Sequence, residues 1–380
     1  MLIRPKVLSF ITTSQCTASC KNCCFSCSPK ETNAIPVPRM HEYIDQACEV
    51  GSIRVIVFTG GECFLLGNDL DCLISHAARN GFSTRFVSNG YWATSPKVAQ
   101  KRVKDIVSAG VKEANFSTGE SHANFVSPEY VKYGAIACAE EGLPTIIALE
   151  LFKGEKFDLN LFLSDAKFKS LIEDKRIIIQ TSPWVSFSNN CEQDSTISYS
   201  KEYLAFVAKS DRSCRSSLYT IAISFHEDLW ACCGLTSMAI PEWSLGSLKN
   251  QTIEDAINAA PDDLLKLWIH FEGPEAVLNY INQVAPDFKL RFGFAHVCDA
   301  CRYLYSRGKI VLDVIRTNPP PQFSFMLNRW CMQLLISESQ EHREGGVRDD
   351  GKSLRLLKSR FSIKNVFSLK SLVSEDSFQP

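Results

Sequence analysis

An α/β chain whose first half builds a partial (β/α)6 barrel is the fold this sequence predicts. Three observations carry that expectation. Short β-rich runs alternate with longer helical patterns, glycines fall where those helices should stop, and a polar motif follows almost every run. The strand runs are 6–12, 53–59, 84–88, 112–117, 144–151 and 176–181. Helical patterns lie between them at about 39–50, 69–80, 96–109, 128–141 and 159–172. Gly81, Gly110 and Gly142 stand at the C-cap positions, each just before the next strand. Repeats of this kind imply parallel strands joined by right-handed crossovers.

In barrel-type sheets the reactive site gathers at the C-terminal ends of the strands. A cysteine loop follows the first run, Thr59-Gly60-Gly61-Glu62 the second and Ser88-Asn89-Gly90 the third. Ser117-Thr118-Gly119-Glu120 follows the fourth run, and Glu150 ends the fifth. All five groups should ring one mouth.

After about residue 185 the pattern changes. Trp184 to Ser200 is polar and loop-like. A hairpin follows, Leu218–Phe225 with Leu229–Ala231, joined by His226-Glu227-Asp228. Thr252 opens a capped helix. A Pro319-Pro320-Pro321 break precedes a basic, Ser-rich end, and 340–380 reads as a disordered or docking tail. Three units follow from this: 1–190, 191–315 and a C-terminal extension, 316–380.

The 380 residues allow a large core, and apolar residues make up 45%. Lys plus Arg is 41 against 42 for Asp plus Glu, so nothing here asks for nucleic acid. No signal peptide and no membrane-length apolar run is evident, which predicts a soluble, cytoplasmic protein. Sixteen cysteines in such a chain point to metal or redox chemistry rather than disulfides. Cys48, Cys72 and Cys138 fall within apolar helical patterns and read as small buried residues. Cys191 and Cys331 carry no pattern.

Cys16, Cys20 and Cys23 have the spacing C-x3-C-x2-C just past the first strand. Three thiolates can hold three irons of a 4Fe-4S cube and leave the fourth open. Zinc fits the triplet alone equally well, and a disulfide knot is a further alternative. Cys20, Cys24 and Cys27 repeat the spacing in a second frame; the first frame is preferred because it begins where a compact loop would leave the strand.

Taken together, these motifs resemble those of the radical S-adenosylmethionine (radical SAM) superfamily over about residues 5–185. The resemblance implies a TIM-like partial barrel in which Cys16, Cys20 and Cys23 hold a 4Fe-4S cluster and SAM chelates its open iron. It implies SAM contacts from Gly60, Gly61, Glu62, Ser88 and Asn89, with Glu62 toward the methionyl ammonium. Two positions depart from the pattern. The family's Ser-x-Asp after the fourth strand has Gly119 at the Asp position, which passes the ribose contact to Ser117 or Glu120. Cys63 stands where Pro is common. Glu120, His122 and Glu150 are further rim groups for SAM, substrate or proton transfer, His122 also reading as an ordinary loop histidine.

Cys214, Cys232, Cys298 and Cys301 lie outside the barrel repeats and resemble the auxiliary-cluster module called twitch, a shortened SPASM domain. That resemblance implies a second 4Fe-4S cluster used for electron transfer. Cys233 competes with Cys232 as a ligand, and a zinc site with the same four residues is the alternative. The function implied is reductive cleavage of SAM to a 5′-deoxyadenosyl radical, hydrogen abstraction, and oxidation or cross-linking of a ribosomally made peptide, with a flavodoxin- or ferredoxin-type donor. Dehydrogenation of a small alcohol or sugar, and a non-catalytic zinc-binding regulator, are the alternatives. The catalytic hydrogen donor or base is not readable from the residues.

Overall fold

The computed structural model describes residues 3–21, 23–151, 157–183, 185, 213–261, 263–291, 293–320 and 326–333. Most of the Trp184–Ser200 stretch, Cys191, Pro321 and the 340–380 tail lie outside them. The six expected strands form: β1 (Val7–Ile11), β2 (Val55–Thr59), β3 (Ser83–Ser88), β4 (Glu113–Thr118), β5 (Thr145–Leu151) and β6 (Ile177–Pro183). Each pairs in parallel with the next.

Alternation along the strands sorts the residues onto two faces. Leu8, Phe10, Ile56, Phe58, Phe86, Phe116 and Ile147 point toward the helices and are wholly buried. Phe10 and Phe58 stack with centroids 5.7 Å apart. Burying one such side chain contributes about 1.5–3 kcal/mol, so this layer dominates the stability of the barrel. The opposite residues, among them Ser9, Val57, Arg85 and Ala148, face an interior cavity.

The helices cover the outer face with stripes at helical spacing. In the helix Val37–Val50 the stripe is Met40, Tyr43, Ile44, Ala47 and Val50. Cys48 is exposed, on the other side of that helix, and Cys72 is exposed on Asn68–Arg79; the expectation that both are buried fails because neither joins the stripe. Cys138 is buried as expected. Gly81, Gly110 and Gly142 end their helices with positive φ. The pattern at 159–172 is two helices, Asn160–Leu163 and Ala166–Glu173. Asp165 breaks it by capping the second, its carboxylate accepting from the Lys167 and Phe168 amides.

The second half extends the same sheet. Strand β7 (Thr220–Ile223) pairs in parallel with β1, and β8 (Asp228–Trp230) and β9 (Ser244–Ser247) continue antiparallel. The order is β6-β5-β4-β3-β2-β1-β7-β8-β9. Cys232 of the second cysteine set follows β8, while Cys298 and Cys301 lie on the helix Val297–Ser306. Thr252 opens the helix Ile253–Ala259 with a capping box, Thr252 and Asp255 each accepting from the other's amide.

Candidate active site

The cysteine loop is fixed to the glycine turn chiefly through backbone. The Gly61 amide donates to the Thr13 carbonyl at 2.6 Å and the Glu62 amide to that of Gln15 at 3.0 Å. A Cβ at Gly61 would lie 2.1 Å from the Gln15 oxygen, and one at Gly60 2.8 Å from that of Thr13. Side chains at 60 and 61 would drive the cysteine loop off the sheet. The glycines serve the loop as well as leaving room for a ligand.

Glu62 is wholly buried. Its carboxylate accepts from the Phe64 amide at 3.0 Å, the Asn89 amide at 2.8 Å and the Ser88 hydroxyl at 3.0 and 3.1 Å. Burial pushes its pKa up to about 7 against the opposing pull of those donors. These bonds make Glu62 a brace between the β2 and β3 turns, and it is absent from the cavity lining. Ser88 also accepts from the Trp92 indole at 3.0 Å. Asn89 donates to Thr17 Oγ1 at 3.0 Å and reaches Cys16 Sγ at 3.6 Å, so the β3 turn touches the cysteine loop directly.

Cys16, Cys20, Cys23, Cys24 and Cys27 all border one cavity of about 470 Å3. Gly60, Gly61, Ser88, Asn89, Ser117, His122 and Glu150 border it too. Glu120 opens the short helix Glu120–Ala123 and does not line it. Burial pushes the Cys16 thiol up to about 11 and that of Cys20 up to about 12, Glu150 adding to the second. Hydrogen bonds from Cys24 and Cys27 hold Cys23 well below the usual thiol range. A buried thiolate set beside a carboxylate is the setting in which a cationic centre is needed to keep sulfur ionised. Thiols in such a setting suit a soft cation, iron or zinc alike. Among the described residues no three Cys, His, Asp or Glu side chains converge on a single ion.

After β8, a Cβ at Gly234 would lie 3.0 Å from Cys298 Sγ and 3.2 Å from Cys232 Sγ, so both sulfurs crowd one point. Cys214 is close enough to raise the thiols of Cys232, Cys298 and Cys301 after burial, the larger cause. Cys232 and Cys298 are thus brought side by side, with Cys214 and Cys301 in the same neighbourhood. Cys233 bonds with Thr220 and lines the barrel cavity, and Cys214 is close enough to raise its thiol as well. Cys63 is fully buried, donating to the Val87 carbonyl at 3.4 Å, and packs outside the cavity.

A thiol loop, a glycine-glycine-glutamate turn and polar strand ends are gathered at the C-terminal edge of a parallel sheet, as the resemblance to the radical SAM superfamily implies. No protein-family model matches the chain. It is similar to "Putative peptide biosynthesis protein YydG" of Bacillus subtilis (strain 168), 26% identical over 314 residues, which are 80% of this chain and 93% of that one. Among solved structures it is similar to native anSMEcpe with bound AdoMet and Cp18Cys peptide, at 14% identity over 82% of this chain and 99% of the other, TM-score 0.49. BtrN in complex with AdoMet and 2-DOIA matches at 14% over 66% and 81%, TM-score 0.39. Streptococcus suis SuiB bound to S-adenosylmethionine matches at 16% over 61% of each chain, TM-score 0.35.

Proposed function

We propose that this chain is a radical SAM enzyme that acts on a peptide. The convergence of the cysteine loop and four further strand-end groups on one 470 Å3 cavity carries the reading. Cys16, Cys20 and Cys23 would hold a 4Fe-4S cluster, and Cys214, Cys232, Cys298 and Cys301 a second one. When bound, the first cluster and SAM supply a 5′-deoxyadenosyl radical that removes a substrate hydrogen. Gly60, Gly61, Ser88, Asn89 and Ser117 would seat SAM, while Glu62 holds the turns that present them. The barrel wall excludes water, and a flavodoxin- or ferredoxin-type protein would deliver electrons. The units 1–190 and 191–315 would carry one cluster each. Peptide as substrate is supported by the name of the Bacillus relative.

Iron and sulfide content of anaerobically reconstituted protein tests this. About eight irons in the wild type, falling to about four in the Cys16→Ala/Cys20→Ala/Cys23→Ala variant, is the expected result. Zinc in place of iron would favour a regulator, and turnover of small alcohols but no peptide would favour a dehydrogenase.

Oxidation or cross-linking would send the substrate electron to the second cluster. One observation favours a second outcome. Cys233 puts a thiol on the wall of the reaction cavity, next in sequence to a proposed ligand of that cluster. A thiol there can return a hydrogen atom to a substrate carbon from the face opposite abstraction, which would invert a peptide stereocentre; the thiyl radical left behind would regain its hydrogen from one electron of the second cluster and one solvent proton. Reaction in D2O separates the two: one solvent deuterium on the product carbon, lost in Cys233→Ala, marks return, and a product two mass units lighter marks oxidation.

A further inference from the structure

The fourth strand of this chain ends on Ser117-Thr118-Gly119, with no side chain at the position where the resembled pattern has a carboxylate. The structure shows what fills that space. Gly119 has φ of +143°, and a Cβ there would lie 2.7 Å from Glu150 Cβ and 3.0 Å from Glu150 Oε2. The volume that a side chain at 119 would occupy is taken by the Glu150 carboxylate, reaching across from the end of β5. The lack of a side chain at 119 and the presence of Glu150 are thus one arrangement.

The two carboxylate oxygens differ. Glu150 Oε1 lies in ion-pair contact with His122 Nδ1, a buried nitrogen with no hydrogen-bond partner. Glu150 Oε2 is buried and has no hydrogen-bond partner. The side chain is 13% exposed, and the residue lines the cavity together with Ser117 and His122. Leaving a buried carboxylate oxygen unpaired costs about 1–3 kcal/mol or more, so the site is built to accept from a donor that arrives in the cavity. Glu62 cannot take that role, because three donors, the Phe64 and Asn89 amides and the Ser88 hydroxyl, already occupy both of its oxygens. Glu120 cannot either, because it is absent from the lining.

We infer that Glu150, in contact with His122, replaces the missing carboxylate at position 119 and binds the vicinal ribose hydroxyls of the nucleoside. The assignment rests on the proposed SAM site. An ammonium group could also donate to a lone carboxylate oxygen, and ligands lacking the diol separate the two sources.

The test is equilibrium binding, without reductant, to anaerobically reconstituted protein. SAM is compared with its 2′,3′-dideoxyribose analogue on the wild type and on Glu150→Gln. A hydrogen bond to a charged group contributes about 1.5–3 kcal/mol, so Glu150→Gln should bind SAM about 10- to 100-fold more weakly. The wild type should bind the dideoxy analogue about as weakly, and the substitution should add little further loss for that analogue. Equal loss for both ligands in Glu150→Gln would transfer Glu150 to the ammonium and overturn the assignment. Equal wild-type affinity for SAM and the analogue would overturn it as well, and this arm needs no variant to fold. A wild type that loads iron yet binds neither ligand would instead bring down the SAM site itself.

Discussion

Among single residues, Glu62 and Gly61 decide whether the rim exists. Glu62 is buried with its pKa raised to about 7, above its ordinary value of 4.5. The folded protein therefore keeps a proton between those values that the unfolded chain has released. Stability from this group is fully present below pH 4.5 and is lost as pH rises through 7. The loss is of the order of 3 kcal/mol. Urea unfolding of the cluster-free protein at pH 5 and pH 8 should show wild type losing that much more stability than Glu62→Gln. Equal losses would mean that the three neighbouring donors, not burial, set the protonation of Glu62. Gly61→Ala should cost about 1–3 kcal/mol by overpacking against Gln15, and it should lower iron loading further than Gly81→Ala, whose Cβ meets nothing. The glycines and cysteines were legible because few other residues suit those tasks. The partner of Glu62 was not, since its nearness to Asn89 arises only when two strand ends meet.

At the level of elements, local signals were read best. Strand periodicity and glycine stops placed all six barrel strands, because each depends on residues a few positions apart. The break in the 159–172 helix was legible in principle, since Asp165 before Ala166-Lys167-Phe168 is an N-cap signal. It was overridden by the apolar spacing that runs through both pieces. Asp165→Ala should cost about 1 kcal/mol in thermal or urea unfolding, and Asp165→Asn only a few tenths. A second joint lies between the helix Val37–Val50 and the β7–β8 turn. Glu227 there accepts from Tyr43 Oη at 2.7 Å and Arg39 Nε at 3.0 Å. Burial alone would raise the Glu227 pKa, but Tyr43 and Arg39 outweigh it and lower it. That stability is present above the unfolded carboxylate range and is lost as pH falls through the lowered value. Removing either donor should cost about 1.5–3 kcal/mol near neutrality, and a double-mutant cycle of Tyr43→Phe with Glu227→Gln should show the coupling.

Across the whole molecule, the pairing of β1 decides how the two halves depend on each other. β1 carries Leu8, Phe10 and the start of the cysteine loop, and it is hydrogen-bonded to β2 on one side and β7 on the other. Nothing local in the sequence announces that β7 pairs with β1. Parallel pairing leaves no turn between its strands, and the hairpin β7–β8 is complete by local rules without it. Its consequence is large. A fragment ending near residue 190 would leave β1 as an open edge strand rich in apolar residues, with β7 and the covering helix Ile253–Ala259 gone. Arg4 would also lose Glu254, which it meets at 2.7 Å. Such a fragment should therefore be aggregation-prone, while a chain shortened after residue 333 should keep a single cooperative urea transition. Circular dichroism and sedimentation of the two truncations would check this. A soluble, cooperatively folded 1–190 fragment that loads four irons would show that the barrel needs no neighbour, and that the continuous sheet is packing added to an already sufficient fold.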